Sequence, residues 1–222
     1  MPLQWGSTDQ SFGHGVKMLC YGQSGMGKTR LIGTLPNPII ASAESGLLVL
    51  RKMKLPYAEI KSYADLVEFY NWVRHPTNGQ YFQSVAIDSI SEIAEVILKY
   101  ELSRAKDPRQ AYGEIIVSVL GLVRQFRDLP GKHVYISAKA EYVKDDVGRM
   151  LWQPMMPGSK LGNQLAYFFD EVFFATKIPH EAKEYYVLQT QASNNAVAKD
   201  RAGVLQAIEL PDLGAIINKI GA

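Results

Sequence analysis

Short apolar runs alternate with helically spaced segments over the first part of the chain. Val16–Tyr21 is an apolar run that predicts a strand, and Lys28–Leu35 predicts a helix stopped by Pro36. Pro38–Ala43 predicts a second strand, and Tyr57–Ile60 a short third. Leu66, Val67, Phe69, Tyr70 and Val73 share one face of a helix predicted over Tyr63–Arg74. Ser84–Asp88 is a strand pattern ending in an acid. Helices are predicted over Ser91–Ala105 and over Tyr112–Leu129, the second stopped by Pro130-Gly131, and His133–Ser137 is the next buried strand. There the period changes. Glu141–Gln153 alternates around Asp145–Arg149 as a β-hairpin does. Pro154–Gly158 is a loop, Lys160–Phe169 a helix, Glu171–Lys177 and Tyr185–Gln191 two strands, and Leu213–Ile220 a closing helix. The order predicts an α/β fold: a mostly parallel twisted sheet flanked by helices, with antiparallel strands added on the C-terminal side. A ligand belongs at the carboxyl ends of the parallel strands.

Composition narrows this. With 222 residues, 47% of them hydrophobic, the chain suffices for one domain with a substantial core. We expect a flexible lead over residues 1–15 and a single domain over 16–222. A net charge of +2 neither marks nor excludes nucleic-acid binding, so a basic surface has to come from local clustering. The single cysteine, Cys20, cannot form an internal disulfide and reads as a small buried residue of the first strand, in keeping with a reducing compartment. No apolar run approaches the roughly 20 residues that span a bilayer, and no secretory leader is evident. The expectation is a cytoplasmic protein with no membrane partner.

The most specific local signal follows the first strand. Gly22-Gln23-Ser24-Gly25-Met26-Gly27-Lys28-Thr29 spells GxxxxGK[ST] between a predicted strand and a predicted helix, with Arg30 next. Glycines let consecutive N–H groups turn toward phosphate oxygens, Lys28 reaches the β- and γ-phosphates, and the Thr29 hydroxyl ligates Mg²⁺. The helix start aims its positive dipole end at the same group. Asp88, closing a buried strand, is the candidate second metal group beside Thr29. The competing role is a cap on the next helix, which Ser89 or Ser91 can serve instead. Ser89 stands where many ATPases carry a second acid, so the water-orienting group has to come from elsewhere. Glu44, at the tip of the second strand, is the candidate, on the expectation that this strand lies beside the first; Glu92 is the alternative. Ser137 and Lys139, ending a later strand, are candidates for sensing the γ-phosphate.

Guanine specificity lacks its usual residues: Ser91 stands where a DxxG motif needs glycine, and no Asn-Lys-x-Asp occurs. ATP is therefore favoured. The chain resembles phage RecA/RadA-like P-loop ATPases of the single-strand annealing and recombination group, nucleotide-binding proteins with an AAA-type domain. The resemblance runs from about Val16 to Gly203. It rests on the P-loop octet, Ala43-Glu44-Ser45-Gly46, Ile87-Asp88-Ser89, Met156-Pro157-Gly158, Phe169-Asp170-Glu171-Val172 and Ala198-Lys199-Asp200-Arg201. It implies a RecA-like core, ATP and Mg²⁺, DNA-stimulated hydrolysis, a homo-oligomer (ring or filament), single-stranded DNA as partner, and work beside a single-strand-binding protein in a bacterial host's cytoplasm. In such motors the cations of Lys-x-Arg cross to a neighbour's γ-phosphate, which makes Lys199 and Arg201 catalytic candidates in trans. Asp200 departs from the pattern, since related motors often carry a polar amide there.

Lys139, Lys144, Arg149, Trp152 and Lys160 cluster in the hairpin and following loop. Cations interleaved with an aromatic suit phosphate contact plus base stacking; alternatively, Trp152 packs inward and Asp145 and Asp146 offset the charge. Three functions stay open in order: a single-stranded-DNA recombination or annealing ATPase, an ATPase acting on a protein partner as a helicase loader does, and a small-molecule kinase.

Overall fold

The computed structural model describes residues 7–8, 13–145, 147–158 and 161–221. Most of the predicted lead, together with Asp146 and Lys160, lies outside the described residues.

The elements run β1 (Lys17–Gly22), α1 (Lys28–Leu31), β2 (Pro38–Ser42), β3 (Tyr57–Glu59), α2 (Tyr63–Arg74), α3 (Pro76–Gly79), β4 (Ser84–Asp88), α4 (Ile90–Arg104), α5 (Pro108–Arg127) and β5 (His133–Lys144). They continue with β6 (Met150–Pro154), α6 (Leu161–Leu165), β7 (Glu171–His180), β8 (Lys183–Gln189), β9 (Lys199–Asp200), β10 (Ile208–Glu209) and α7 (Leu213–Gly221). The sheet's order is β10-β8-β7-β1-β5-β4-β2-β3, with β6 on β5 and β9 on β7. From β7 across to β3 neighbouring strands are parallel; β8, β9, β10 and β6 pair antiparallel. This is the expected mixed α/β architecture, a mostly parallel sheet flanked by helices with antiparallel strands added on the C-terminal side.

Strand alternation sorts the core into two layers. Leu19, Tyr21, Ile39, Ala41, Val85, Ile87, Val134 and Ile136 face α2, α4 and α5. Met18, Cys20, Ile40, Ala86 and Tyr135 face α1 and α7. Both faces of β1 are buried, which is why its sequence is a nearly continuous apolar run. Phe126 of α5 is fully buried, edge-on to Tyr70 at 5.3 Å and 6.1 Å from Phe69. Truncating such a residue costs about 3–5 kcal/mol.

Local chemistry sets the element ends. Ser62 and Asp65 form a reciprocal capping box at the start of α2. Helix α5 begins one turn before the expected Tyr112, because Asp107 caps it and Pro108 takes the first helical position. The helix expected over Lys28–Leu35 is α-helical only to Leu31 and tightens into a 3₁₀ turn over Ile32–Thr34. Pro36 holds Leu35 extended, and the Thr34 hydroxyl donates back to the Leu31 carbonyl at 2.7 Å. β5 outruns its predicted end at Ser137. Its first half lies buried between β1 and β4, and its second half leaves the sheet to pair with β6.

Two strands, β5 and β4, separate β2 from β1. The expectation that the second strand adjoins the first is therefore corrected: Glu44 reaches the P-loop region by way of β4.

Candidate functional site: the P-loop and its acids

The loop Gln23–Gly27 links β1 to α1 at the carboxyl ends of the parallel strands. Gly25 and Gly27 adopt φ of 79° and 83°, the left-handed region in which consecutive amides can form an anion cradle. A Cβ at either would meet nothing within 4 Å, so the concave side is open to a ligand. Gln23, Ser24 and Arg30 are exposed, whereas Met26 packs against the α1-side core. Lys28 Nζ donates to the carbonyls of Gly22 at 2.7 Å and Gln23 at 3.0 Å, which folds the ammonium over the loop. Burial lowers the Lys28 pKa from its ordinary value, while the carboxylates of Glu44 and Asp88 oppose the shift.

Asp88 is 1% exposed at the end of β4. One of its oxygens accepts from Thr29 Oγ1 at 2.7 Å, and the other accepts from the Ser137 hydroxyl. Capping of α4 falls to Ser89, whose Oγ accepts from Glu92 N at 3.5 Å, so Asp88 is left to the site. A hydroxyl and a carboxylate at hydrogen-bond distance are hard oxygen donors. Mg²⁺ is held by such sets, with one or two protein groups plus phosphate oxygens and waters completing an octahedron. Among the described residues no cluster of three or more His, Cys, Asp or Glu could hold a metal by itself.

Glu44 lies just beyond β2, where Ala43 N donates to the Asp88 carbonyl at 2.8 Å. Its carboxylate accepts from the Ser89 hydroxyl. The structure thus brings Glu44 to the residue next to Asp88, near enough to Lys28 for its charge to act on the ammonium. Glu92, the alternative base, is engaged by the Lys139 ammonium in an ion pair. Lys139 N donates to Ser91 Oγ at 2.9 Å, and that hydroxyl donates to the Met155 carbonyl at 2.8 Å. Ser91 therefore ties β5 and the loop after β6 to the start of α4. The sequence reading missed this bridge.

It also missed Tyr135. The ring lies under the P-loop with no exposure, and its hydroxyl donates to the Lys28 carbonyl at 2.9 Å. Burial pushes its pKa well above the phenol range and raises that of Cys20 beside it to about 12, so both stay neutral. The available signal was alternation: Tyr135 is two residues before Ser137 and must share its face.

Lys199 and Arg201 are placed differently. β9 pairs with the beginning of β7, Asp200 opposite Glu171, and Glu171 pairs with Met18 at the start of β1. They lie at the amino ends of the strands, and Met18 to Gly22 alone is about 13 Å at 3.3 Å per residue. The structure does not bring them to their own chain's P-loop. Lys199 Nζ donates to the Ala166 carbonyl at 3.0 Å, and burial lowers its pKa. Exposed Arg201 pairs with Asp170 at 2.8 Å. Glu171, fully buried, accepts from Ala202 N at 3.2 Å and leaves Oε2 without a partner. Burial pushes its carboxyl up to about 7.

The hairpin candidates divide. Lys144 is exposed at the end of β5 and makes no ion pair among the described residues. Arg149 pairs with Asp145 at 2.9 Å, and Lys139 with Glu92. Trp152 is half-buried, its ring 4.8 Å from Tyr142 and 5.9 Å from Phe174, while Tyr21 OH donates to its carbonyl at 3.0 Å. The tryptophan packs inward, the alternative to a stacking platform. Lys160 lies outside the described residues.

Residues 14–202 match the family model described as AAA domain. Among solved structures, the chain is similar to a KaiC-like protein from Pyrococcus horikoshii OT3: 13% identity, 79% of this chain and 77% of that one covered, TM-score 0.45. It is also similar to the flagellar accessory protein FlaH from Methanocaldococcus jannaschii, at 10% identity, 88% and 84% coverage and a TM-score of 0.48. No curated protein matches the chain. No helix among the described residues is long and apolar enough to cross a membrane.

Proposed function

The chain belongs to the AAA-domain family, and on that premise we propose that it binds ATP with Mg²⁺ and hydrolyses it. The observation that carries this reading is the convergence of Lys28, Thr29, Asp88 and Glu44 at one end of the sheet. In it, the open loop and Lys28 hold the β- and γ-phosphates. Thr29 and Asp88 would hold the metal, which would supply charge neutralisation at the phosphoryl oxygens when bound. Glu44 orients the attacking water and accepts its proton. Ser89 keeps the Glu44 carboxylate turned toward Asp88, and Ser137 fixes the other Asp88 oxygen.

The finer reading is a phage recombination or annealing ATPase acting on single-stranded DNA as a homo-oligomer. Its support is the sequence resemblance, the exposed Lys144, and the exposed position of Arg201 for contact with a neighbour. Turnover of ATP with and without single-stranded DNA, double-stranded DNA and RNA tests it. Salt-sensitive stimulation by the single strand is expected; turnover that ignores all three leaves an ATPase without a DNA role.

A specific observation favours the second reading, a protein partner. The hairpin region exposes Tyr142, Val147, Met150 and Met155, at 48%, 74%, 42% and 44%, while Trp152, Arg149 and Lys139 are engaged within the chain. Apolar side chains along the hairpin and just past it suit a protein surface better than a phosphate backbone.

A further inference from the structure

Past Glu44, a cavity of about 350 Å³ lies on the α1-side face of β2 and β3, between these strands and the 3₁₀ turn Leu47–Leu50. No P-loop residue lines it. Ile40 and Leu50 give it an apolar floor, and Arg51, Lys54 and Tyr57 stand on its walls. Ser42 also lines it. That residue is 4% exposed, and its hydroxyl has no hydrogen-bond partner. A buried hydroxyl without a partner carries a desolvation cost that a ligand atom can offset.

The charges are similarly available. Arg51 donates to the Leu48 carbonyl at 3.3 Å, and neither Arg51 nor Lys54 makes an ion pair among the described residues. The acid on the wall, Glu59, is paired with Lys61 at 2.5 Å. Tyr57 lies on the edge strand and is 55% exposed, so its ring face is accessible. Two cations without ion-pair partners among the described residues, beside an aromatic face and a buried hydrogen-bonding group, match a phosphate joined to a planar polar ring. The volume falls in the range of small-ligand sites.

We propose that this cavity binds a nucleoside monophosphate unit separately from the P-loop, the phosphate on Arg51 and Lys54, the base against Tyr57, and Ser42 Oγ hydrogen-bonded to the base or sugar. A free mononucleotide and one residue of a single strand present the same chemistry. Ser42 is paired in register with Asp88 on one side and Glu59 on the other, so an occupant would sit one strand away from the metal acid. The proposal goes beyond ATP hydrolysis and does not depend on it.

The test is calorimetric titration of the full chain carrying Lys28→Ala, which removes the P-loop's main phosphate contact, with AMP and with a thymidine hexamer. Saturable binding of at least one probe is expected. Arg51→Gln with Lys54→Gln should weaken it tenfold or more. Ser42→Ala should weaken it severalfold while leaving the melting temperature unchanged or higher, since it deletes an unpaired polar atom. Much tighter binding of the hexamer assigns a strand as the source, and comparable binding assigns a free nucleotide. Absence of saturable binding at millimolar probe overturns the proposal, as does binding indifferent to the Arg51/Lys54 change. Should that double change raise the KM for ATP in the Lys28-intact chain while AMP fails to bind the Lys28→Ala chain, the cavity belongs to the ATP base and the proposal is likewise overturned.

Discussion

Thr29 and Asp88, 59 residues apart in sequence, meet Oγ1 to Oδ2 at 2.7 Å. The contact is made because β4 ends level with the P-loop two strands away from β1, with β5 between them. Asp88→Asn keeps the size and the Thr29 contact but removes the negative charge. Turnover is expected to fall by about 100-fold or more, with a raised Mg²⁺ requirement and triphosphate binding largely kept. Steady-state rates against Mg²⁺ concentration check this. An unchanged Mg²⁺ dependence would remove Asp88 from the metal site.

Glu44→Gln should leave ATP binding intact and lower turnover by about 10²–10⁴-fold, the range for loss of a general base. Ser89→Ala should cost less, since it only frees the carboxylate it holds. Binding by a fluorescent analogue and turnover by phosphate release separate the two effects. Equal losses in binding and turnover would make Glu44 a structural residue.

Arg201→Ala is expected to preserve ATP binding yet depress turnover by about 10³-fold or more, if its cation completes a neighbour's site. Lys28→Ala should abolish binding or turnover. Mixing the two proteins should restore activity, because one interface in the mixed assembly keeps both intact halves. Failure of the mixture to exceed either variant alone would refute action in trans and leave Arg201 as the partner of Asp170 that the structure shows.

Glu171 makes a pH prediction. Its folded value of about 7 lies above the ordinary 4.5. Between those values the folded chain holds more protons than the unfolded one, so stability falls as pH rises through this window. Glu171→Gln keeps an acceptor for Ala202 N and should flatten the slope, a difference of about 1–3 kcal/mol at pH 8 relative to pH 4. Urea unfolding at the two pH values measures it.

Trp152 separates packing from stacking. Since its ring lies against Tyr142 and Phe174, Trp152→Ala should destabilise the chain by about 2 kcal/mol or more without a selective loss of single-strand binding. Intact stability with weakened binding would return the ring to a DNA-facing role.

Much of the architecture was legible because the signals are local. Helix α2 matches its predicted bounds because a Ser-x-x-Asp cap and a helical apolar stripe are carried by neighbouring residues. The P-loop octet likewise contains its own glycines, lysine and hydroxyl. Asp88 was legible as a strand-ending acid. The chain by itself therefore determined most of the elements, the glycine–lysine loop between β1 and α1, and the acid that ends β4. Relationships between distant segments were decided only by the tertiary structure. Sheet order separated β2 from β1 and carried Glu44 to Ser89 through β4. Strand register placed Tyr135 under the loop and Ser137 on Asp88, and sent Lys199 and Arg201 to the opposite end of β1. The same register packed the half-buried Trp152 against Tyr142 and Phe174, a residue type that suits a core and a stacking platform equally. The physical reason is that periodicity specifies which face of an element is apolar, whereas which face meets which depends on burial summed over the whole sheet.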